Sequence, residues 1–210
     1  SQYGGSSCSS RKCFGIVYDN PSVCSGHGSC TYLNYCVCNP SFTGSQCNIA
    51  YNATISCVDH CVYKSSDVSS LLGWGDNSAG QLGYGFATNY QPLPTQVYST
   101  GAMAGYTVAK IFSGYYHTFF VSTNGTLFAT GYNAFGQIDN SGILNIRAPV
   151  LIPPSLFGGY RITMTAAGLY SSCALTEIGT VYCWGYAAQG NIGDGTFTQK
   201  SVPTPIVSTG

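Results

Sequence analysis

A ten-residue phrase, met three times in phase, limits what most of this 210-residue chain can fold into. It reads Trp74-Gly75-Asp76-Asn77-Ser78-Ala79-Gly80-Gln81-Leu82-Gly83. It returns as Thr130-Gly131-Tyr132-Asn133-Ala134-Phe135-Gly136-Gln137-Ile138-Asp139, and again as Trp184-Gly185-Tyr186-Ala187-Ala188-Gln189-Gly190-Asn191-Ile192-Gly193. Gly75, Gly131 and Gly185 stand 56 and 54 residues apart. Gly114-Tyr115-Tyr116-His117 keeps the same phase as Gly168-Leu169-Tyr170-Ser171, and Cys57-Val58-Asp59-His60 fits with a one-residue insertion after it. A repeat of this length is one supersecondary unit that buries its apolar face by stacking on its neighbours.

Within a copy the short runs are β in character. Ile111 to Ser113, His117 to Val121 and Thr126 to Thr130 are rich in β-branched and aromatic residues and are bounded by glycine. The central two predict a hairpin around Thr123-Asn124-Gly125, with glycine where a left-handed conformation is needed, and Glu177-Ile178-Gly179 does the same in the third copy. Closing strands are expected at Pro94-Thr95-Gln96-Val97, Pro149-Val150-Leu151-Ile152 and Pro205-Ile206-Val207. Four short strands at this period make a propeller blade. With Gly-x-x-His upstream of Trp-Gly-x-Asn-x-x-Gly-Gln-Leu-Gly, residues 51–210 resemble the regulator of chromosome condensation repeat family. The resemblance implies blades of a seven-bladed propeller at about 51–107, 108–161 and 162–210. It carries no nucleotide-exchange site residue onto this sequence, because that scaffold hosts many unrelated roles.

Eleven cysteines set the compartment, and seven of them fall in the first 47 residues. That density in so short a stretch marks a small module held by disulfides rather than by a core. From Cys13 they run Cys13, Cys24, Cys30, Cys36, Cys38 and Cys47, with one residue between Cys36 and Cys38, and Gly44 before Cys47. Residues 13–48 resemble the epidermal growth factor-like module, and residues 1–12 form a segment ahead of it. The resemblance implies the pairs Cys13–Cys30, Cys24–Cys36 and Cys38–Cys47. Spacing by itself leaves fifteen pairings open. Calcium-binding members carry acidic or amide residues before the first cysteine. Here Arg11 and Lys12 stand there, so no calcium is expected. Ser41 replaces a glycine common in that family before the aromatic Phe42, and His27 sits between glycines as an exposed loop residue.

Cys173 and Cys183 flank the Gly179 hairpin symmetrically, which places them opposite each other within disulfide reach. The same positions in the second copy are Phe119 and Ala129. Cys8, Cys57 and Cys61 remain unassigned, with Cys8 a candidate to reach Cys57 or Cys61 and one thiol left over. Sequons at Asn52 and Asn124 offer glycosylation sites that agree with an extracellular setting.

Chemistry is sparse. Charged residues are 7% of the chain, against about a quarter in an ordinary domain, and seven cations balance seven anions. No field of one sign attracts nucleic acid. No apolar run approaches the roughly 20 residues that span a bilayer, and no secretion signal is present, so any such signal has been removed. Cys57, Asp59, His60 and Cys61 could hold zinc. The competing reading, favoured by an oxidising compartment, is the first-strand turn of a blade with oxidised cysteines. His117 near Ser113 suggests a hydrolytic pair without a third orienting carboxylate. It reads better as a buried blade histidine bonded to backbone, in the place of His60 and Ser171. Gly80 to Gly85 lacks the lysine and helix of a phosphate loop. The seventeen tyrosines suit packing between blades, or stacking on sugars and partner side chains.

The expected protein is therefore all-β: a growth factor-like module joined to three blades of an incomplete propeller, without catalytic residues, metal or cofactor. The expected function is a secreted structural or adhesive glycoprotein, an interaction or polymer-forming module of an extracellular matrix or surface filament. The alternative is a secreted lectin or enzyme inhibitor using one propeller face. Three blades cannot close a seven-bladed ring, so the expected partners are proteins: copies of itself, or further blades of a longer chain.

Overall fold

The structure, a computed structural model, describes residues 54–65, 70–97 and 100–207 together with short backbone strands in the first fifty. The chain divides into two compact units, 1–53 with 66–68, and 54–65 with 69–210. In the first unit β1 (Tyr3–Gly4), β2 (Ser10–Cys13) and β3 (Ile16–Val17) form one antiparallel sheet. There β4 (Gly28–Cys30) pairs with β5 (Cys36–Cys38), and β6 (Phe42–Thr43) with β7 (Ile49–Ala50). The pairs Cys13–Cys30, Cys24–Cys36 and Cys38–Cys47, and the side chains of Cys8, His27 and Asn52, lie outside the described residues.

The second unit is three four-stranded antiparallel sheets, each a meander in chain order. The first holds β8 (Thr54–Cys57), β9 (His60–Lys64), β10 (Leu71–Asp76) and β11 (Tyr90–Gln96). The second holds β12 (Val108–Ser113), β13 (His117–Ser122), β14 (Leu127–Tyr132) and β15 (Asn145–Ile152). The third holds β16 (Ile162–Ala167), β17 (Ser171–Thr176), β18 (Val181–Gly185) and β19 (Lys200–Pro205). These are blades of an incomplete propeller. The fourth strands begin earlier than their prolines suggest. In the third blade Pro205 ends β19, and Ile206 follows outside it while still donating its amide to Val181 O at 3.1 Å.

Stacking forms the core, as the apolar character of both hairpin strands requires. Every residue of β13 is buried. Val62, Leu82, Ile111, Phe120 and Phe128 share one cluster between the first two blades. Phe119, Ile138, Phe157 and Trp184 share the next. Leu82, Ile138 and Ile192, one from each copy of the phrase, are fully buried.

The phrase itself is a plug. Asn77 Oδ1 accepts from Leu82 N and Gln81 Oε1 from Ala79 N, while Asn133 Oδ1 and Gln137 Oε1 serve Ile138 N and Phe135 N in the same way. Its glycines let the next blade approach: a Cβ on Gly80 would stand 2.8 Å from Arg147 Cα, and one on Gly136 would stand 2.7 Å from Ser201 Cα. The third copy has Ala187 and Asn191 in place of the capping asparagine and glutamine, and Asn191 turns instead to Tyr186 O at 2.9 Å.

Cys173 and Cys183 are paired across β17 and β18 and joined by a disulfide, with Cα atoms 4.1 Å apart. Cys57 and Cys61 are likewise opposed across the turn from β8 to β9 and bonded to each other. This corrects the expectation that Cys8 reaches one of them, since both sulfurs are used. Replacing Cys173 and Cys183 together by alanine should cost about 2–3 kcal/mol, the chain-entropy value for so short a loop. Urea denaturation under non-reducing conditions measures it, and an unchanged midpoint would refute the assignment.

Candidate interaction face

In each meander the turn from first to second strand and the loop from third to fourth emerge at the same end. Three equivalent hydrogen bonds align their residues: Asp76 N to Asp59 O (3.2 Å), Tyr132 N to Tyr116 O (2.8 Å) and Tyr186 N to Tyr170 O (2.9 Å). The end of the second unit therefore presents a row of pairs, Asp59/Asp76, then Tyr116/Tyr132, then Tyr170/Tyr186. The glycine before the second member of each pair creates this geometry. Gly75, Gly131 and Gly185 have φ of 103°, 117° and 101°, each at a register shift between third and fourth strand. Such a bulge re-aims the residue that follows it.

The tyrosines pack on one another. Tyr116 and Tyr170 stack with ring centroids 6.0 Å apart, and Tyr132 lies 5.8 Å from Tyr170. Phe135 fills the gap between Tyr170 and Tyr186, 5.0 Å from each. A cleft of about 300 Å³ opens among Tyr116, Tyr132, Tyr170, Ser78 and Asn145. Asn145 Oδ1 is buried there with no hydrogen-bond partner. A second cleft of about 450 Å³ shares Ser78 and Tyr116 and adds Asp59, Asp76, Asn89, Tyr90 and Tyr115. Asp76 holds its turn by accepting from Ser78 N, Ser78 Oγ and Gln81 Nε2. The Asp59 carboxylate beside Tyr115 pushes the phenol pKa up, through hydrogen bonding and its charge. Packing between blades and stacking on partner groups are both expected of the tyrosines from sequence, but not this clustering at one end. The signal was present, since each clustered tyrosine adjoins a glycine of the phrase or the His117/Ser171 position.

Beneath the row runs a relay between blades. His60 Nε2 meets Thr118 Oγ1 at 2.5 Å, and that hydroxyl donates to Gln81 O at 2.7 Å. His117 Nε2 meets Ser172 Oγ at 3.0 Å, which donates to Gln137 O at 2.7 Å. With each hydroxyl proton committed to a carbonyl, Nε2 must be the donor, and burial keeps both imidazoles neutral, with Nδ1 bare and unpartnered. Burial lowers His60 to about 4, against the opposing charges of Asp76 and Asp59, and lowers His117 to about 3, helped by His60.

This corrects the reading of His117 as bonded to backbone: the contact runs through a hydroxyl of the next blade. The hydrolytic pair does not form either. Ser113 is spent on Ser56, through Ser113 N to Ser56 Oγ (2.8 Å) and Ser113 Oγ to Ser56 O (3.1 Å). Nor do the residues of the zinc alternative converge, since the Cys57 and Cys61 sulfurs hold each other and His60 turns inward. Asn124 is exposed at the tip of the β13–β14 hairpin. Its Oδ1 accepts from Ser122 Oγ, Thr126 N and Thr126 Oγ1, which leaves the amide nitrogen outside these bonds.

Comparison with known proteins matches the regulator of chromosome condensation (RCC1) repeat at residues 69–121, 108–137 and 164–190, and a teneurin-like EGF domain at 21–50. Among curated proteins the chain is 30% identical over 139 residues to human E3 ubiquitin-protein ligase HERC2, covering 66% of this chain and 3% of that protein. It is 30% identical over 138 residues to the Arabidopsis thaliana ultraviolet-B receptor UVR8, covering 65% of this chain and 30% of that protein. Among solved structures, human WBSCR16 superposes with a TM-score of 0.66 at 22% identity, covering 89% of this chain and 46% of that one. Prp20p of Saccharomyces cerevisiae gives 0.65 at 20%, covering 77% and 40%. These likenesses show the fold.

Proposed function

We propose, for a chain that carries a teneurin-like EGF domain ahead of RCC1-type repeats, that it works outside the cell as a structural or adhesive protein-interaction module. The observation that carries this reading is the aligned row of residue pairs on a rigid end of the blades. Aromatic side chains fixed by their neighbours supply large contact area at low entropic cost. The yeast neighbour was solved with its binding properties to Gsp1p and histones as a subject, which supports a binding rather than a catalytic use of the scaffold. Two disulfides in the blades and the EGF-like module support an oxidising compartment. The low charge and the exposed Asn124 suit a glycosylated surface or matrix protein, with Asn52 as a second acceptor, built into filaments with copies of itself or with further blades.

The test labels intact, unpermeabilised cells of the source with an antibody to the blades. Label on the surface or matrix, lost after external protease, is expected, with hexosamine on Asn124 in peptides from the same material. Label confined to the nucleus or cytosol would overturn the proposal. Tyr116→Ala with Tyr170→Ala should lower retention on that surface about tenfold or more, the effect of losing two central aromatic anchors.

A further inference from the structure

We propose that the joined clefts bind a cationic segment of a protein partner, with a lysine or arginine seated at Asp59 and Asp76 and the following residues laid across the tyrosines. This deepens the reading of the face as protein-binding and rests on it.

The three pairs occupy equivalent positions in their blades. Where the second and third blades put Tyr116/Tyr132 and Tyr170/Tyr186, the first puts Asp59/Asp76, fixed by the same backbone hydrogen bond. Two of the chain's seven acidic residues thus stand together at one end of an aromatic row. Among the described residues no lysine or arginine lines either cleft. The ion pair of Lys200 Nζ with Asp194 at 2.9 Å belongs to the third blade and does not line these clefts. The charge to be matched is therefore negative, and a cationic ligand supplies its complement.

Tyr115 and Tyr116 adjoin the carboxylates, with ring centroids 4.7 Å apart in an edge arrangement. A guanidinium or ammonium lying there meets both carboxylate charge and aromatic faces, two attractions that reinforce each other. The neighbouring cleft adds a different requirement. It is walled by Tyr116, Tyr132 and Tyr170, on whose rings apolar side chains of an extended segment lie. Because the clefts meet at Ser78 and Tyr116, one short peptide can occupy both.

The experiment titrates tri-arginine, tri-glutamate and chitotriose separately into the full ¹⁵N-labelled chain with its disulfides intact, at low and at 0.5 M salt. Tri-arginine should shift the amides of Asp59, Tyr115, Tyr116 and Asn145. Its affinity should fall about fivefold or more in Asp59→Asn and again with added salt. Asp59 is exposed, so this variant keeps the fold. Asp194→Asn, an acid outside the groove, should bind like the parent. Tri-glutamate binding as well as tri-arginine, shifts centred elsewhere, or an unchanged affinity in Asp59→Asn would each overturn the proposal. Chitotriose shifting the tyrosines while tri-arginine does nothing would overturn it too, yet leave the face as a binding surface. Surface retention that survives Asp59→Asn but is lost in the Tyr116/Tyr170 double variant would refute the cationic partner and keep the broader reading.

Discussion

Gly131→Ala should unfold the blades, or bring them to the edge of unfolding, at neutral pH. Gly131 has φ of 117°, a conformation that L residues rarely adopt. A Cβ there would stand 2.3 Å from Tyr116 O and 2.7 Å from His117 Cα. Both are backbone atoms of β13 and the turn before it, so neither can swing away. Backbone strain of about 1–3 kcal/mol adds to a clash that only separation of β13 from β14 relieves. A loss above about 4 kcal/mol is the expectation, a large share of the 5–15 kcal/mol that holds a typical domain together. Gly142→Ala separates the two causes. Gly142 has φ of 74° with nothing within 4 Å of its would-be Cβ, so only the conformational term of about 1 kcal/mol applies. Urea denaturation of both variants decides the matter. Equal losses would show that the close approach across the bulge is not what the glycine serves.

Acid should loosen the stack well above the pH at which carboxylates usually matter. An unfolded histidine titrates near 6.5, whereas His60 is held at about 4 and His117 at about 3. Their folded pKa values are depressed, so the unfolded chain binds more protons at acid pH. Stability is therefore full above about pH 6.5 and declines as pH falls toward 4. The loss is on the order of 3 kcal/mol per histidine by pH 4. Asp194, held at about 2 mainly by the Lys200 hydrogen bond, gives up its contribution only at lower pH and leaves the histidine window distinct. His117→Gln keeps a donor for Ser172 without a titrating group, and should remove roughly half of the slope between pH 6.5 and 4. A denaturation midpoint flat across that window would refute the neutral, buried assignment.

The blades were legible because their determinants are local and periodic. The phase of Gly75, Gly131 and Gly185 locates each third strand, and the symmetry of Cys173 and Cys183 about Ile178 gives the hairpin register. The same symmetry argument applies to Cys57 and Cys61 about Asp59. The sequence favours oxidised cysteines in that turn over a metal site, but with Cys8 a third candidate it leaves their partners open. The relay was half legible. His60, His117 and Ser171 align by phase, but the acceptor is one residue further along and on the next sheet, so only stacking reveals Thr118 and Ser172. The tyrosine row was hidden for a similar reason. Its members are about 16 and 54 residues apart in sequence and meet only because one bulge recurs.

The relay also has a grammar. Each sheet can offer an imidazole forward and a hydroxyl backward, and only the middle one does both, through His117 and Thr118. The first offers His60 forward but has Cys61, tied to Cys57, in the hydroxyl position. The third receives through Ser172 but has Ser171 in the imidazole position. The three copies are therefore not interchangeable words. A circular permutant that placed the third sheet before the first would set Ser171 against Cys61 and lose one of two sentences, although every strand kept its length and every core residue its neighbours within its own sheet. Reading order is written into the stack by side chains, independently of the peptide that links the sheets.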